Sequence, residues 1–453
     1  TAVFPRQVEK LKVRWHRGDP ASQPTIIKLE FEPEDGQTRD ILGWLSNRTH
    51  FPRLGWWSRD EKYQMAGFGS AAEICSPTHS KENPFDYLEN KRLADGSEYL
   101  HYFGGLSFFP DQPVDHEWRT FGRTHFIAPQ FYFEMDGGHP RFIAQIVAQA
   151  KIAPALEQLN SDFAAIRWRF QPPKTVPARI LGIDDFPPHL HWLKTHADAL
   201  AEIQKQSFGK VVLSRKRVVR AAFNFQVLPI FKDLVHHNPG TTRFYFEFEP
   251  GQAFLGASPE RLIKKTGQKL ESEALAGTRP LGQSPAEAEN FKNELLTDPK
   301  ERLEQRVVRD QINRQFNTLC HSISVDPEPR VIRFPQVQHL YQGISGELKN
   351  GTGIATILQT LHPTPALGGS PRAVARDIIK RLEVFARGWY GAPVGWIHGE
   401  DAEFAVAIRS ALISDQRQIS LYAGVGLVAG SDAEAEWREM NQKLRVLEAS
   451  LNL

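Results

Sequence analysis

Two residues of this chain are of the types that can move protons in opposite directions. Lys210 opens the apolar run Val211-Val212-Leu213, and Glu260 closes the run Ala257-Ser258-Pro259. Burial at a strand end lowers a lysine pKa and leaves an amine able to take a proton from water; the same lysine in a surface setting simply extends its charge into solvent. A carboxyl against apolar walls has its pKa raised and serves as an acid, whereas a partner such as Arg261 would keep it ionised. Near the C-terminus, Glu436, Glu439 and Lys443 share one helical stripe behind a strand broken by Gly424 and Gly426. Glycine lets a ligand approach the backbone, and the carboxylates and lysine suit an anion together with a divalent cation; the plainer reading is a solvated helix face with an i, i+4 ion pair. Glu304 becomes a second metal ligand only if Glu439 comes alongside it. Gly277-Thr278 offers a backbone approach and a hydroxyl that can bond a carboxylate or merely turn the chain, and Arg409 at the end of an apolar run requires an anion, from substrate or from a neighbouring acid. His189, His191 and His362 lie in proline-stiffened segments and read as capping, core or turn residues.

The elements that must position these side chains follow from periodicity. Ser431 with Glu434 makes a capping box, starting a helix whose Trp437, Met440, Leu444, Leu447 and Leu451 face inward. Pro299 opens another helix, with Leu303, Val307, Val308, Ile312 and Phe316 inward. Residues 244–262 read as a hairpin ending at Ser-Pro-Glu, so proline throws Glu260 out of the ladder. The first 170 residues read as an aromatic-rich sheet with a hairpin turn at Asp136-Gly137-Gly138, closed by a helix from Pro140 to about Leu159. Proline-rich residues 171–189 read as a linker, and 190–453 as the catalytic region sharing one compact core with the N-terminal part.

Composition excludes several classes. Lys+Arg 55 against Asp+Glu 53 leaves a formal charge of +2 over 453 residues, without long runs of either sign, so neither nucleic acid nor a membrane surface is called for. Two cysteines are too few for a disulfide framework and suit a reducing compartment. With no secretory leader or spanning segment evident, the expectation is a cytoplasmic protein acting on a small molecule.

Taken in order, Lys-Val-Val-Leu-Ser-Arg at 210, Ala-Ser-Pro-Glu at 257, Leu-Ala-Gly-Thr at 275, the Glu304 helix, Leu-His-Pro-Thr-Pro-Ala at 361, Ala-Ile-Arg at 407, Ala-Gly-Val-Gly at 423 and Glu-Trp-Arg-Glu at 436 resemble the chorismate-utilising enzymes. The match covers about Leu190 to Leu453. Trp44-Leu45, Phe51-Pro52 and Trp56-Trp57 resemble, more loosely, the N-terminal half of the menaquinone-pathway isochorismate synthases. Gln305, where histidine is frequent, and Val425 between the glycines depart mildly from the pattern.

The resemblance implies an α+β, anthranilate synthase component I-like fold of packed β-sheets with outer helices, and Mg²⁺ on Glu304 and Glu439. It makes Lys210 the base that activates water, where ammonia-using members carry glutamine, and Glu260 the acid. Ala276 stands where aminodeoxychorismate synthases commonly carry lysine. Gly277, Thr278, Tyr390, Arg409, Gly424 and Lys443 would hold chorismate. The expected activity is isochorismate synthase, an isomerase, with salicylate synthase, an anthranilate synthase-type enzyme or a non-catalytic binding homologue as alternatives. A monomer without a glutaminase subunit is expected.

Overall fold

The computed structural model describes residues 12–16, 25–31, 40–46, 48–77, 80, 82–94, 99–148, 152–164, 166, 178–206, 209–334, 337–451 and 453. Two antiparallel sheets, of thirteen and ten strands, dominate it. In the first, N-terminal strands such as Phe131–Asp136, Tyr63–Phe68 and Arg53–Trp57 lead directly into Thr242–Glu249, Gln252–Ser258, Ser410–Asp415, Gln418–Leu427 and Lys210–Ala221. In the second, Val337–Leu348, Lys269–Pro280, Arg261–Thr266, Asp401–Val406 and Pro393–His398 lead into His101–Leu106, Thr124–Ala128 and the edge strand Ala72–Cys75.

Strand alternation explains how these sheets pack. Phe244, Phe246 and Phe248 of one strand point the same way, the last two meeting Trp389, and with Phe254, Leu412 and Tyr422 of the first sheet and Phe103, Val394 and Ala405 of the second they form one core. The alternate residues, including Tyr245, Leu255, Ile413 and Leu421, belong to a second core with the helices. The C-terminal helix, Ala433–Ser450, buries Met440, Leu444 and Leu447 there. Among the described residues no helix is long and apolar enough to cross a membrane.

Several expectations need correction. Residues 139–148 form a strand, not a helix: the Gly137-Gly138 turn, both glycines at positive φ, returns the chain onto Phe131–Asp136, and a helix begins only at Ile152. Within 171–189, Ile180–Phe186 is a strand paired with Lys210–Ala221, while 171–177 lie outside the described residues. The Pro299–Leu319 helix buries Gln305, Val308, Ile312 and Phe316 but exposes Leu303 and Val307, because Gln305 faces inward to bond Gln342 at 3.0 Å. The C-terminal helix is capped by Asp432, whose carboxylate accepts from Ala435 N–H at 2.8 Å; Ser431 Oγ instead accepts from Val428 N–H.

The site depends on two places where the chain changes sheets. Ser258 ends a strand of the first sheet and Arg261 begins one of the second, so Pro259-Glu260 is a two-residue crossing. Val406 ends a second-sheet strand and Ser410 begins a first-sheet strand, so Ala407-Ile408-Arg409 crosses back. The crossings are laced together: Val406 N–H donates to Glu260 O at 3.0 Å, Ala257 N–H to Arg409 O at 3.1 Å, and Ser258 Oγ to Val406 O at 2.6 Å.

Candidate active site

Glu260 owes its position to Pro259, which cannot donate to a ladder and so releases the next residue from both sheets. Its backbone N–H is satisfied by Ser258 Oγ at 3.2 Å, and among the described residues its carboxyl accepts only a long bond from Thr364 Oγ1, 3.4 Å. Arg261 does not pair with it but reaches Glu403 at 3.3 Å. Burial, reinforced by the charge of Glu273, therefore pushes the Glu260 carboxyl up to about 8, despite weaker opposing effects of Thr364, Lys210 and Lys443. It can donate a proton at neutral pH.

Lys210 begins the strand Lys210–Ala221, whose long ladder with Gln418–Leu427 fixes its register. A Cβ on Gly426 would lie 2.3 Å from Lys210 Cε, so the lysine stem occupies the space that any other residue at 426 would fill. A Cβ on Gly424 would come within 3.0 Å of Tyr390 Oη and 3.1 Å of Ser214 Oγ. Both glycines thus make room for side chains of the site. Tyr390 is buried against Tyr422, ring centroids 5.1 Å apart, and burial pushes its hydroxyl up to about 12.

Arg409, at the end of its apolar run, lies between strands in the sheet crossing, with φ of 51°. A left-handed non-glycine residue costs roughly 1–2 kcal/mol, a strain borne by the surrounding ladder. Its Nη1 donates to the Lys443 carbonyl at 3.1 Å, and among the described residues no carboxylate lies within ion-pair distance. Burial lowers its pKa to about 10. It remains a cation ready for an anionic ligand.

On the C-terminal helix, Lys443 Nζ bridges Glu439 at 2.7 Å and the Gly424 carbonyl at 2.8 Å. Burial alone would raise Glu439, but Lys443, Arg409 and Lys210 outweigh it and hold the carboxylate below its usual range. Thr278, Arg409, Glu439 and Lys443 line a common cavity of about 520 Å³, with Pro259 in its wall.

Gly277 is a bulge in the Lys269–Pro280 strand with φ of 72°. His339 on the neighbouring strand lies 2.9 Å from Gly277 O and 3.1 Å from Thr278 Oγ1 through Nδ1, and burial lowers it to about 4. The bulge turns Thr278 into the cavity and sets Gly277 against Glu301, whose carboxylate would be 2.9 Å from a Cβ there. Glu304 follows Glu301 by one helical step on the same side and is half-buried.

Of the expected residues, Thr278, Arg409, Glu439 and Lys443 share one cavity, and electrostatic influence links Glu260 to Lys210 and Lys443, and Glu439 to Lys210 and Arg409. Glu304 is half-buried on its helix and is not among the described residues that line this cavity; Lys300, one turn before it, acts electrostatically on Glu436, one helical step before Glu439. Glu436 itself is raised, by burial and then by the charge of Glu439. In the cavity wall itself, Glu439 is a carboxylate held ionised, an oxygen donor of the kind a hard divalent cation takes. Sequence reasoning missed Thr364, Glu273 and His339. Thr364 carried a signal, the Leu-His-Pro-Thr-Pro-Ala motif, in which His362 proves to be a core residue bonded to Phe108 O at 2.9 Å.

The family described as chorismate binding enzyme matches residues 16–452. The chain belongs to the chorismate-binding enzymes. Among curated relatives of this chorismate-binding enzyme, isochorismate synthase MenF of Bacillus subtilis is 32% identical over 378 residues, covering 82% of this chain and 79% of the relative. The structure of MenF, the menaquinone-specific isochorismate synthase of Escherichia coli, superposes with a TM-score of 0.85 at 26% identity, covering 96% of both chains. Anthranilate synthase component I of Streptococcus pneumoniae shares the fold, at a TM-score of 0.71 and 18% identity over 86% of this chain and 92% of that one. The α+β architecture of packed sheets with outer helices is the fold of this group.

Proposed function

We propose that this chorismate-binding enzyme is an isochorismate synthase in which Lys210 and Glu260 act on opposite faces of one substrate ring. The observation that carries the reading is the buried Glu260 carboxyl, raised to about 8 and under the electrostatic influence of Lys210 and Lys443. Similarity to enzymes named isochorismate synthase over most of the chain supports it.

Chorismate carries two carboxylates. Arg409 and Lys443, with Tyr390 and the Gly424 backbone, hold the enolpyruvyl side; Gly277 and Thr278 receive the ring carboxylate. The Lys210 amine takes a proton from water as the water oxygen bonds to C2. The ring double bonds shift, the C4–O bond breaks, and Glu260 gives its proton to the departing hydroxyl, which leaves as water. One water is consumed and one released, so the net change is an isomerisation. General acid and general base catalysis each contribute about 10²- to 10⁴-fold. Glu304 and Glu439 would hold Mg²⁺, which supplies charge neutralisation for the ring carboxylate.

On the same reading the enzyme is a cytoplasmic monomer without a glutaminase subunit, and its product enters menaquinone synthesis, as the resemblance to MenF suggests. Incubation with chorismate and Mg²⁺ followed by chromatographic resolution of products tests the proposal. Isochorismate alone supports it; salicylate with pyruvate, anthranilate, or unchanged chorismate each overturns it.

A further inference from the structure

The proposed catalytic carboxylates do not account for a second group of ligating side chains at the far edge of the smaller sheet. Ala72–Cys75 is the last strand there, six strand spacings from the Gly277 strand, or about 30 Å at some 4.8 Å per strand. Glu73 and Cys75 are two residues apart and so project from one face of this edge strand, and Cys75 is directly opposite His125 on the neighbouring strand. One ligand atom from each of Glu73, Cys75 and His125 lies within 4.8 Å of the other two.

The imidazole is oriented for a specific role. His125 Nδ1 is 2.9 Å from the Thr120 carbonyl, which can only accept, so Nδ1 carries the hydrogen. The ring also stacks on Phe248 from the other sheet, centroids 3.9 Å apart, which fixes its plane. Nε2 is therefore aimed at Glu73 Oε1, 2.8 Å away. A neutral imidazole would set a lone pair against a carboxylate oxygen there, and either a proton or a cation must lie between them. An Nδ1–H bonded to a backbone carbonyl is the usual support of a metal-ligating histidine. The thiol beside the pair supplies the third donor, and a sulfur–nitrogen–oxygen set selects a borderline-soft ion over magnesium or calcium.

We propose that Glu73, Cys75 and His125 form a binding site for a zinc-class divalent cation, with solvent in the remaining position, that fastens the short edge strand to its neighbour. Such a clip ties a strand of only four residues to its neighbour. Cys75 is exposed, so an ion has direct access.

Reduced protein is titrated with Co²⁺ in the presence of excess Mg²⁺, and the near-ultraviolet thiolate-to-cobalt charge-transfer band is followed. The expected result is a band that saturates at one Co²⁺ per chain, is bleached by Zn²⁺, and disappears in Cys75→Ser. Glu73→Gln retains the band with weaker binding. Zn²⁺ raises the Tm of the unaltered protein and not that of Cys75→Ser. No band in the unaltered protein overturns the proposal, as does a band that survives Cys75→Ser, which would place the metal on the buried Cys320.

Discussion

Two carboxylates, one on the sheet crossing and one on the helix wall, both feel Lys210 and Lys443, and the protein treats them in opposite ways. Glu260, on the sheet crossing, is pushed up to about 8; Glu439, on the C-terminal helix, is held below its usual range. Glu260 is buried whereas Glu439 keeps about half of its side chain exposed, so desolvation and local charge both separate them. The helix wall places Lys443 2.7 Å from Glu439 and adds Arg409, whereas the crossing offers Glu260 a single long hydroxyl contact and the neighbouring charge of Glu273. Each pKa unit is about 1.4 kcal/mol of preference between protonation states, so burial together with local charge keeps one carboxyl protonated at neutral pH and leaves the other ionised.

The largest test of this contrast is removal of the proton donor. Glu260→Gln and Lys210→Ala are each expected to lower kcat by about 10²- to 10⁴-fold while chorismate still binds in calorimetry. Full turnover in either variant would break the assignment. The wild-type rate should fall as pH rises past about 8, where Glu260 loses its proton. The same shift has a stability consequence. The folded pKa lies above the unfolded one, so between about pH 4.5 and 8 the native state binds more protons and stability falls as pH rises. Glu260→Gln should therefore be more stable than the wild type at pH 8 and above, by an amount on the order of a few kcal/mol, and should lose that part of the pH dependence in urea melts. An inactive variant that is also less stable at alkaline pH would mean that Glu260 is ionised in the native protein.

On the helix wall, Glu439→Gln should raise the Mg²⁺ concentration needed for half-maximal activity at least tenfold or abolish turnover. Indifference of the wild type to EDTA would remove the ion from the cleft. A smaller effect is expected at Thr364: Thr364→Val deletes the one hydroxyl that stabilises ionised Glu260, so the alkaline limb of the rate profile should move upward by a fraction of a pH unit, with kcat changed only a few-fold. A downward movement would contradict the contact.

Lys210, Glu260 and Arg409 stand out in the sequence because each sits at the end of a short apolar run, and Glu439 and Lys443 because they share one stripe of the helix behind the Gly424 and Gly426 strand. What the sequence concealed is how those ends meet. The crossings at Pro259-Glu260 and Ala407-Arg409 are hydrogen-bonded across nearly 150 residues, and Arg409's positive φ has no glycine to announce it. His339 meets the Gly277 bulge from another strand and leaves no local pattern at all. The Pro140–Leu159 error has a different cause: Phe142, Ile143, Ile146 and Val147 satisfy a helical repeat, but a strand with both faces covered places such residues without regard to period. The exposed Leu303 and Val307 show the converse, since a helix face judged apolar was displaced by an inward glutamine with a partner.

The smallest expected effect concerns approach rather than chemistry. Arg438 and Arg445 are exposed on the C-terminal helix and line the cavity together with Arg409 and Lys443, against the single negative charge of Glu439. A cleft lined by one sign of charge raises the local concentration of an oppositely charged ligand, and exposed charges lose that influence beyond a Debye length of about 10 Å at 0.1 M salt. Arg438→Gln with Arg445→Gln should therefore raise KM a few-fold at low ionic strength, leave kcat unchanged, and converge on the wild type as salt is added. A KM difference that persists at high salt would mean that these arginines touch the bound substrate, and the cationic wall that distinguishes Glu439 from Glu260 would extend further along the helix than its inner turn.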